Sequence, residues 1–467
     1  MSFPLGTDGW RGVIADGCTF ASIERLAAAT AEVYRSLPTG DTRAIVVGHD
    51  TRFFSPEFAR RAADTLARGG VDVLLTDRPI PTPAVSEHVV HLGLAGGVAI
   101  TASHNPGEYN GFKIKSHFGG SAPPELYGDV ERAAGRAPAP SPRAGTVRVL
   151  DLLGPYRERL GQRVDLDSMR HAGLSVLADS MHGAAGSLVP DMLSGGKTRV
   201  VPFRSEGDPL FGGVHPEPIA ANLGAASEKV RSERLDLAVA QDGDSDRLGV
   251  LDGRGRFVSP HKVLALLLLH AYRRRGLTGG IAKTFSTSLL IDRVAASLEV
   301  PLTETPIGFK YLADLMNRGE ADAGGEESGG YAFSFHLPER DGVLNALLLI
   351  ESLALSGRNL DGALEDLAAE FGEFAYGRLD VYLPVEMITA FLQMVRRQPP
   401  AEIVGEPVTG VSDLDGVKYS FGRRGWLLHR LSGTEPMVRL YCEHEDQGSV
   451  DRILEAARGR LERFARS

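Results

Sequence analysis

The chain has 467 residues, 43% of them hydrophobic and 24% charged, the balance of a folded globular protein, which excludes a mainly disordered one. At ~150 residues per domain, this length predicts about three domains. The 51 basic and 60 acidic residues give a net charge of −9 with no dense Lys/Arg block, so nucleic acid is not an expected partner; any anionic ligand must be met by locally basic loops.

In chain order, residues 23–37 carry helical periodicity and residues 44–48 a β-rich run. A second amphipathic helix is predicted after Ser55-Pro56, read as N-cap and first-turn proline, ending near Gly69-Gly70. Strands follow at 71–75 and 97–101. This alternation predicts α/β layers with functional loops at the strand ends. Residues 134–143 contain Ala-Pro-Ala-Pro-Ser-Pro, which suits neither a helix interior nor a central strand, so a surface connection is expected there. Beyond it lie strands at 174–178 and 235–240. From near Gly253 a helix over 262–274 and further α/β alternation lead to helices at 342–357 and around 360–371. After Tyr376 strand-like pieces such as 378–382 and 426–430 dominate, and a charged helix begins near Ser449. That is the texture of a smaller α+β domain, which raises the expectation to four domains, 1–140, 150–253, 254–372 and 375–467.

Four segments carry chemistry. Thr101-Ala102-Ser103-His104-Asn105-Pro106 follows a buried-looking strand. A hydroxyl with His104 beside it and Lys113 a few residues further on can act as a nucleophile or carry a phosphoryl group. It is no Gly-x-Ser-x-Gly elbow, so a standard hydrolase is disfavoured. Asp242-Gly243-Asp244-Ser245-Asp246-Arg247 crowds three carboxylates that repel unless a cation joins them. Hard oxygen donors favour Mg2+ or Ca2+ over zinc. An EF-hand fails, because Arg247 and Gly253 stand where its glycine and glutamate belong. Mg2+ is therefore expected, with Arg247 beside it to hold an anion. Gly324-Gly325-Glu326-Glu327-Ser328-Gly329-Gly330 offers carboxylate and hydroxyl partners for a sugar. In Arg430-Leu431-Ser432-Gly433-Thr434-Glu435-Pro436-Met437-Val438-Arg439, two arginines, two hydroxyls and a glycine form a phosphate cradle.

With the opening Gly6-Thr7-Asp8-Gly9-Trp10-Arg11-Gly12, these segments resemble, in order, the signatures of the α-D-phosphohexomutase superfamily of phosphoglucomutases and phosphomannomutases. The resemblance covers essentially the whole chain. It implies an α/β fold class: three related mixed-sheet α/β/α domains and a C-terminal α+β TATA-box-binding-protein-like domain around a central cleft. It further implies a phosphoserine at Ser103, and Mg2+ held by Asp242, Asp244, Asp246 and that phosphoserine, with Arg11 and Arg247 nearby. Glu326 and Ser328 belong to the implied sugar loop, and Arg430, Ser432, Gly433, Thr434 and Arg439 to the site of the phosphate not being transferred. Gly308-Phe309-Lys310 resembles the substrate loop, with Lys310 available for a phosphate.

The implied reaction interconverts glucose 1-phosphate and glucose 6-phosphate through glucose 1,6-bisphosphate, which reorients and returns its other phosphate to Ser103. Glu326-Glu327-Ser328 resembles the glucose-preferring loop, whereas phosphoglucosamine mutases usually show Glu-Gln-Ser-Gly-His. A phosphomannomutase or dual glucose/mannose mutase is the close alternative. A phosphoglucosamine mutase, a non-catalytic sugar-phosphate-binding protein and a metal-dependent phosphatase are the others. Members specific for both glucose and mannose have a His where this chain has Gly330. Eukaryotic-type phosphoglucomutases have Lys where Glu339-Arg340-Asp341-Gly342 has Arg340, a poor proton acceptor. Arg340 is expected to orient phosphate or sugar, and His104 and Lys113 to give acid/base support and charge stabilisation; the general base stays open.

Cys18 and Cys442 stand far apart in unrelated contexts, which points to a reducing compartment. The N-terminus lacks the pattern of a secretory signal, and the longest apolar run, residues 263–269, is far short of the ~20 needed to span a bilayer. A cytoplasmic monomer or homodimer that binds a hexose phosphate and no membrane is expected.

Overall fold

The computed structural model describes residues 3, 5–6, 8–37, 44–136, 141, 143–432 and 436–466. Thr7 of the opening motif, residues 137–140 and 142 of the proline-rich connection, and Gly433 and Thr434 of the expected phosphate cradle lie outside the described residues.

Four principal sheets organise the chain. The first runs Trp10–Val13, Tyr109–Ser116, Gly96–Ile100, Ala44–His49, Asp72–Thr76, Val147–Leu150 from edge to edge. The second runs Phe257–Val258, Leu248–Asp252, Leu237–Gln241, Ser175–Asp179, Arg199–Phe203, and the third Leu302–Thr305, Ile281–Thr284, Ala323–Gly325, Tyr331–Phe333. All three are mixed, and one feature repeats. An interior parallel strand turns back into an antiparallel partner: Gly96–Ile100 into Tyr109–Ser116, Leu237–Gln241 into Leu248–Asp252, and Ala323–Gly325 into Tyr331–Phe333. The loops at these reversals, 101–108, 242–247 and 326–330, are three of the segments marked by their chemistry. They lie at the carboxyl ends of parallel strands, where α/β sheets leave room for ligands. The fourth sheet is antiparallel, Ala375–Tyr382, Met437–His444, Gly425–Leu431, Val417–Ser420, Gly410–Ser412.

Local chemistry sets the helix ends. Thr19 and Ser22 form a capping box at Phe20–Ser36. Asp341 caps Gly342–Ser356 by accepting from Leu344 N at 2.9 Å, and Gly357 ends that helix at φ 66°. The expected N-cap at Ser55 is not found. The cap of Ser55–Arg68 is Phe54, without a side-chain hydrogen bond. Ser55 lies in the first turn and donates its hydroxyl to the buried Asp50 carboxylate at 2.7 Å. A buried carboxylate needs that donor more than a helix end near solvent does.

One buried apolar cluster runs from Val46 and Val85 through Tyr156, Val176 and Leu237 to Val263 and Leu348, linking the first three domains. The fourth has its own core around Phe391, Tyr419, Leu440 and Ile453. A small cluster of Phe285, Trp426, Leu428 and Tyr441 joins it to the third. Among the described residues, no single helix is long and apolar enough to cross a membrane.

Candidate active site

Ser103 is 1% exposed and has φ +53°, a left-handed conformation that costs a non-glycine residue on the order of 1–3 kcal/mol. This backbone turns the side chain out of the first domain and onto the second. Ser103 Oγ donates to Asp242 Oδ2 at 3.0 Å and lies 3.5 Å from His104 Nδ1. Gly243 is required by the approach, since a Cβ there would stand 2.6 Å from the Ser103 carbonyl oxygen.

Asp242, Asp244 and Asp246 are fully buried, so their loop is no solvated turn. Each offers one ligand oxygen, and these lie within 4.8 Å of one another. Protein cations and hydroxyls orient the carboxylates. Asp244 Oδ2 accepts from Lys113 Nζ at 2.8 Å and from Thr82 Oγ1 at 2.7 Å. Lys113 Nζ also lies 2.8 Å from Asp8 and 3.5 Å from Asp246. Burial works against the Lys113 ammonium, but Asp244 and Asp8 outweigh it and push its pKa up. Burial, with Asp246 and Asp244 beside it, pushes Asp242 well above the usual carboxylate range. Asp244 Oδ1 and Asp246 Oδ1 are buried without a hydrogen-bond partner among the described residues. Hard oxygen donors with orphaned oxygens on one spot fit Mg2+, and Asp242, Asp244, Asp246 and Ser103 would hold it.

Two guanidinium groups lie near the serine loop and act on His104. Arg11 donates to Asn105 Oδ1 at 2.5 Å. Arg247 donates to Glu217 at 3.2 Å, and its Nε is buried without a hydrogen-bond partner among the described residues. Burial lowers the Arg11 pKa, opposed by Asp8 and helped by Arg247. Desolvated, mutually repelling cations of this kind favour an anion between them. Burial, then Arg247 and Arg11, holds His104 well below its usual range, so its imidazole is neutral.

The third domain enters through Arg340. Instead of standing open for an anion, its guanidinium reaches Asp246 at 2.8 Å, Asp8 at 3.0 Å, Glu326 at 3.4 Å and Glu339 at 3.6 Å. It thereby ties all three reversal-loop domains together. Glu326 is buried and raised to about 7, by burial first, with Arg340 opposing and Glu327 adding. Its Oε2 accepts from Ser328 Oγ at 3.3 Å. Lys310 lies in the first turn of Phe309–Asn317, its ammonium 5.0 Å from the Tyr311 ring.

In the fourth sheet Arg430 and Arg439 are direct cross-strand partners, like charges that such a pairing tolerates poorly unless anions join them. Arg430 donates to Asp415 Oδ2 at 2.9 Å, which also accepts from Ile307 N at 2.9 Å, next to the Gly308-Phe309-Lys310 loop. Arg439 Nε is buried without a hydrogen-bond partner among the described residues. Ser432 N donates to Met437 O at 3.0 Å.

The sequence reading leaves Asp8, Asp50, Arg52, Thr82 and Glu339 without roles, although all five contact this constellation or its loops. A signal exists for two of them. Asp50 and Arg52 directly follow a strand of buried apolar residues, at the end where α/β proteins place functional groups.

Three domains whose loops converge on a buried hydroxyl, an acidic triad and buried guanidinium groups, with a fourth that sets two facing arginines beside the Gly308-Phe309-Lys310 loop, define a multidomain α/β protein built to handle a phosphorylated ligand. Profiles of the phosphoglucomutase/phosphomannomutase α/β/α domains I, II and III match residues 4–138, 154–255 and 259–371, and that of its C-terminal domain matches 395–459. The chain belongs to the phosphoglucomutase/phosphomannomutase family. It is 30% identical over 415 residues to a phosphoglucomutase/phosphomannomutase of Thermococcus kodakarensis, covering 88% of each chain. Identity to a phosphoglucosamine mutase of Rubrobacter xylanophilus is 33% over 479 aligned residues, 98% of this chain and 97% of the relative. A crystal structure from Thermus thermophilus, described as a phosphomannomutase, superposes with a TM-score of 0.87 at 38% identity, covering 99% of this chain and 100% of that one.

Proposed function

We propose that this phosphohexomutase interconverts glucose 1-phosphate and glucose 6-phosphate, with Ser103 as the phosphoryl carrier. The observation that carries the reading is the buried Ser103 hydroxyl, turned onto Asp242 at 3.0 Å, with Arg11, Arg247 and Lys113 acting on the adjacent His104 and Lys113 also bound to Asp244. In this reading a phosphoryl group on Ser103 Oγ passes to a sugar hydroxyl. The resulting glucose 1,6-bisphosphate reorients and returns its other phosphate to the same oxygen. Arg11 and Arg247 hold the oxygens of the moving group, and Lys113 fixes the carboxylate of Asp244. His104, neutral, sets its Nδ1 3.5 Å from Oγ. Glu326 and Ser328 orient the sugar, and Lys310, Arg430, Ser432, Gly433, Thr434 and Arg439 hold the phosphate that stays behind. When bound, Mg2+ supplies neutralising charge for phosphoryl transfer. Burial of Ser103 keeps water from the phosphoryl group, which separates transfer from hydrolysis.

Glu326-Glu327-Ser328 supports glucose. The Thermus likeness supports mannose as the second reading, and the Rubrobacter relative puts glucosamine in the same comparison. One assay decides among them: turnover of glucose, mannose, glucosamine and ribose 1-phosphates, with and without Mg2+ and a trace of glucose 1,6-bisphosphate. The highest kcat/KM is expected for glucose 1-phosphate, with loss of turnover on Mg2+ removal. Ser103→Ala should lower kcat by at least about 1,000-fold, and intact-mass analysis should place one phosphoryl group on Ser103. Full activity in that variant, or an adduct consistently elsewhere, rejects the carrier; inorganic phosphate without isomerised sugar makes the protein a phosphatase.

A further inference from the structure

Asp50 and Arg52 lie beyond strand Ala44–His49, beside the serine loop, and both side chains are 0% exposed. The guanidinium of Arg52 is completely used. Nε donates to Asp50 Oδ2 at 3.0 Å. One terminal nitrogen donates to the carbonyls of Pro106 at 2.6 Å and Tyr109 at 3.0 Å, and the other to those of Ser103 and Asn105, each at 2.6 Å. Five N–H groups thus meet five acceptors, the full complement of an arginine fork. Phe211 of the second domain covers the guanidinium, its ring centre 4.7 Å away.

Asp50 is fixed in turn. Its Oδ1 accepts from Arg52 N at 3.0 Å and Ser55 Oγ at 2.7 Å, and its Oδ2 from Thr101 Oγ1 at 2.6 Å. Thr101 Oγ1 then accepts from Ser103 N at 2.9 Å. Both peptide groups of Ser103 are therefore held by one ion pair: its N–H through Thr101 and Asp50, its carbonyl through Arg52. Between them sits the left-handed backbone at φ +53° that aims Oγ at Asp242. Such a conformation persists only where its surroundings over-determine it. Four carbonyl oxygens turned toward one point also repel unless a planar, multiply donating cation fills it. Lysine, with three donors on a point charge, cannot replace that fork.

We propose that Arg52, seated by Asp50, is a positioning residue for phosphoryl transfer: it sets the direction of Ser103 Oγ by clamping the loop around it. The inference rests on the reading of Ser103 as phosphoryl carrier, and the test separates the two. Full-length wild type, Arg52→Lys and Phe211→Leu are each mixed with Mg2+ and glucose 1,6-bisphosphate. Phosphoryl uptake at Ser103 is followed by quenched intact-mass spectrometry and normalised to the folded fraction from circular dichroism. Arg52→Lys is expected to slow uptake and kcat together by about 100-fold, the loss that a ~1 Å misplacement produces, while KM moves less than about threefold. Phe211→Leu keeps the fork's hydrogen bonds, removes only its cover, and is expected to show a smaller loss in the same direction. A merely structural role would lower the folded fraction and leave uptake per folded molecule unchanged; that result in Arg52→Lys overturns the proposal. If Arg52→Lys does not fold, wild-type uptake in Phe211→Leu overturns it instead. Absence of uptake at Ser103 in the wild type sinks the carrier reading itself.

Discussion

Glu326 shows how one buried side chain makes the site sensitive to pH. Its carboxyl is buried beside Arg340, Glu327, Arg247 and Asp246, and burial dominates, lifting it from 4.5 to about 7. The native state therefore holds a proton on Glu326 that the unfolded chain releases at lower pH. The corresponding stability is fully present below about 4.5 and is lost as pH rises through about 7. Glu326→Gln retains the acceptor that faces Arg340 but cannot ionise. Its stability relative to wild type should rise between pH 5 and pH 8, by about 3 kcal/mol at most. Paired thermal melts across that range measure the difference, and parallel profiles for the two proteins would remove Glu326 as the titrating group. The Glu326 carboxyl then changes from hydrogen-bond donor to pure acceptor near neutral pH.

At the scale of elements, the hairpin of Ala323–Gly325 and Tyr331–Phe333 is shaped by what it must leave empty. A Cβ on Gly330 would stand 2.2 Å from Arg340 Cδ and 2.8 Å from its Cγ, so the stem of Arg340 lies in the space a side chain would fill. Gly330→Ala should push Arg340 off Asp246 and Asp8, at a cost of about 1–3 kcal/mol and about a tenfold loss in kcat/KM. Because the damage passes through Arg340, combining Gly330→Ala with Arg340→Ala should cost clearly less than the sum of the two; additivity in kinetics and melting would show that Gly330 acts elsewhere. Part of the fold was legible in the sequence: the apolar runs before the Ser103 and Asp242 loops are strands in the structure, whereas the short Ala323–Gly325 strand before Glu326, two of its three residues glycine, was not. Contacts made at long sequence separation were not. Thr82 reads as a residue between two prolines, and only the fold sets it against Asp244, 162 positions away. Ser55 reads as a helix cap because the sequence does not show that Asp50, only five positions back, is buried by the fold and claims its hydroxyl. Arg340 reads as an anion ligand, since three of the four carboxylates around it, Asp8, Asp246 and Glu326, come from separate stretches of chain.

For the whole molecule, a net charge of −9 coexists with buried cations at the site, of which Lys113 and Arg340 are held by acids from neighbouring domains. The apolar core already joins the first three domains, so the polar contacts between them mainly fix alignment. Lys113 meets Asp244 at 2.8 Å, Tyr156 donates to Asp341 at 2.8 Å, and Lys418 reaches Glu304 at 2.8 Å from the fourth domain. The tightest test of this view is Lys115 and Glu339, 2.6 Å apart across the first and third domains and no more than 1% exposed. Glu339 also accepts from Ser121 Oγ at 3.3 Å and from the backbone N–H of Arg340 at 2.9 Å, so the pair locks the segment that carries Arg340. Burying two charges costs desolvation that their attraction barely offsets, whereas removing one partner strands the other and costs about 3–5 kcal/mol. Lys115→Met should therefore destabilise by that amount, and Lys115→Met/Glu339→Met by much less. Because a four-domain chain need not unfold in one step, native-state hydrogen exchange of strand Tyr109–Ser116 is the appropriate measurement. The double variant should restore most of the protection lost in Lys115→Met but not the turnover, since the Arg340 backbone loses its acceptor. Equal loss of protection in the two variants would mean that the pair does not set the alignment of these domains.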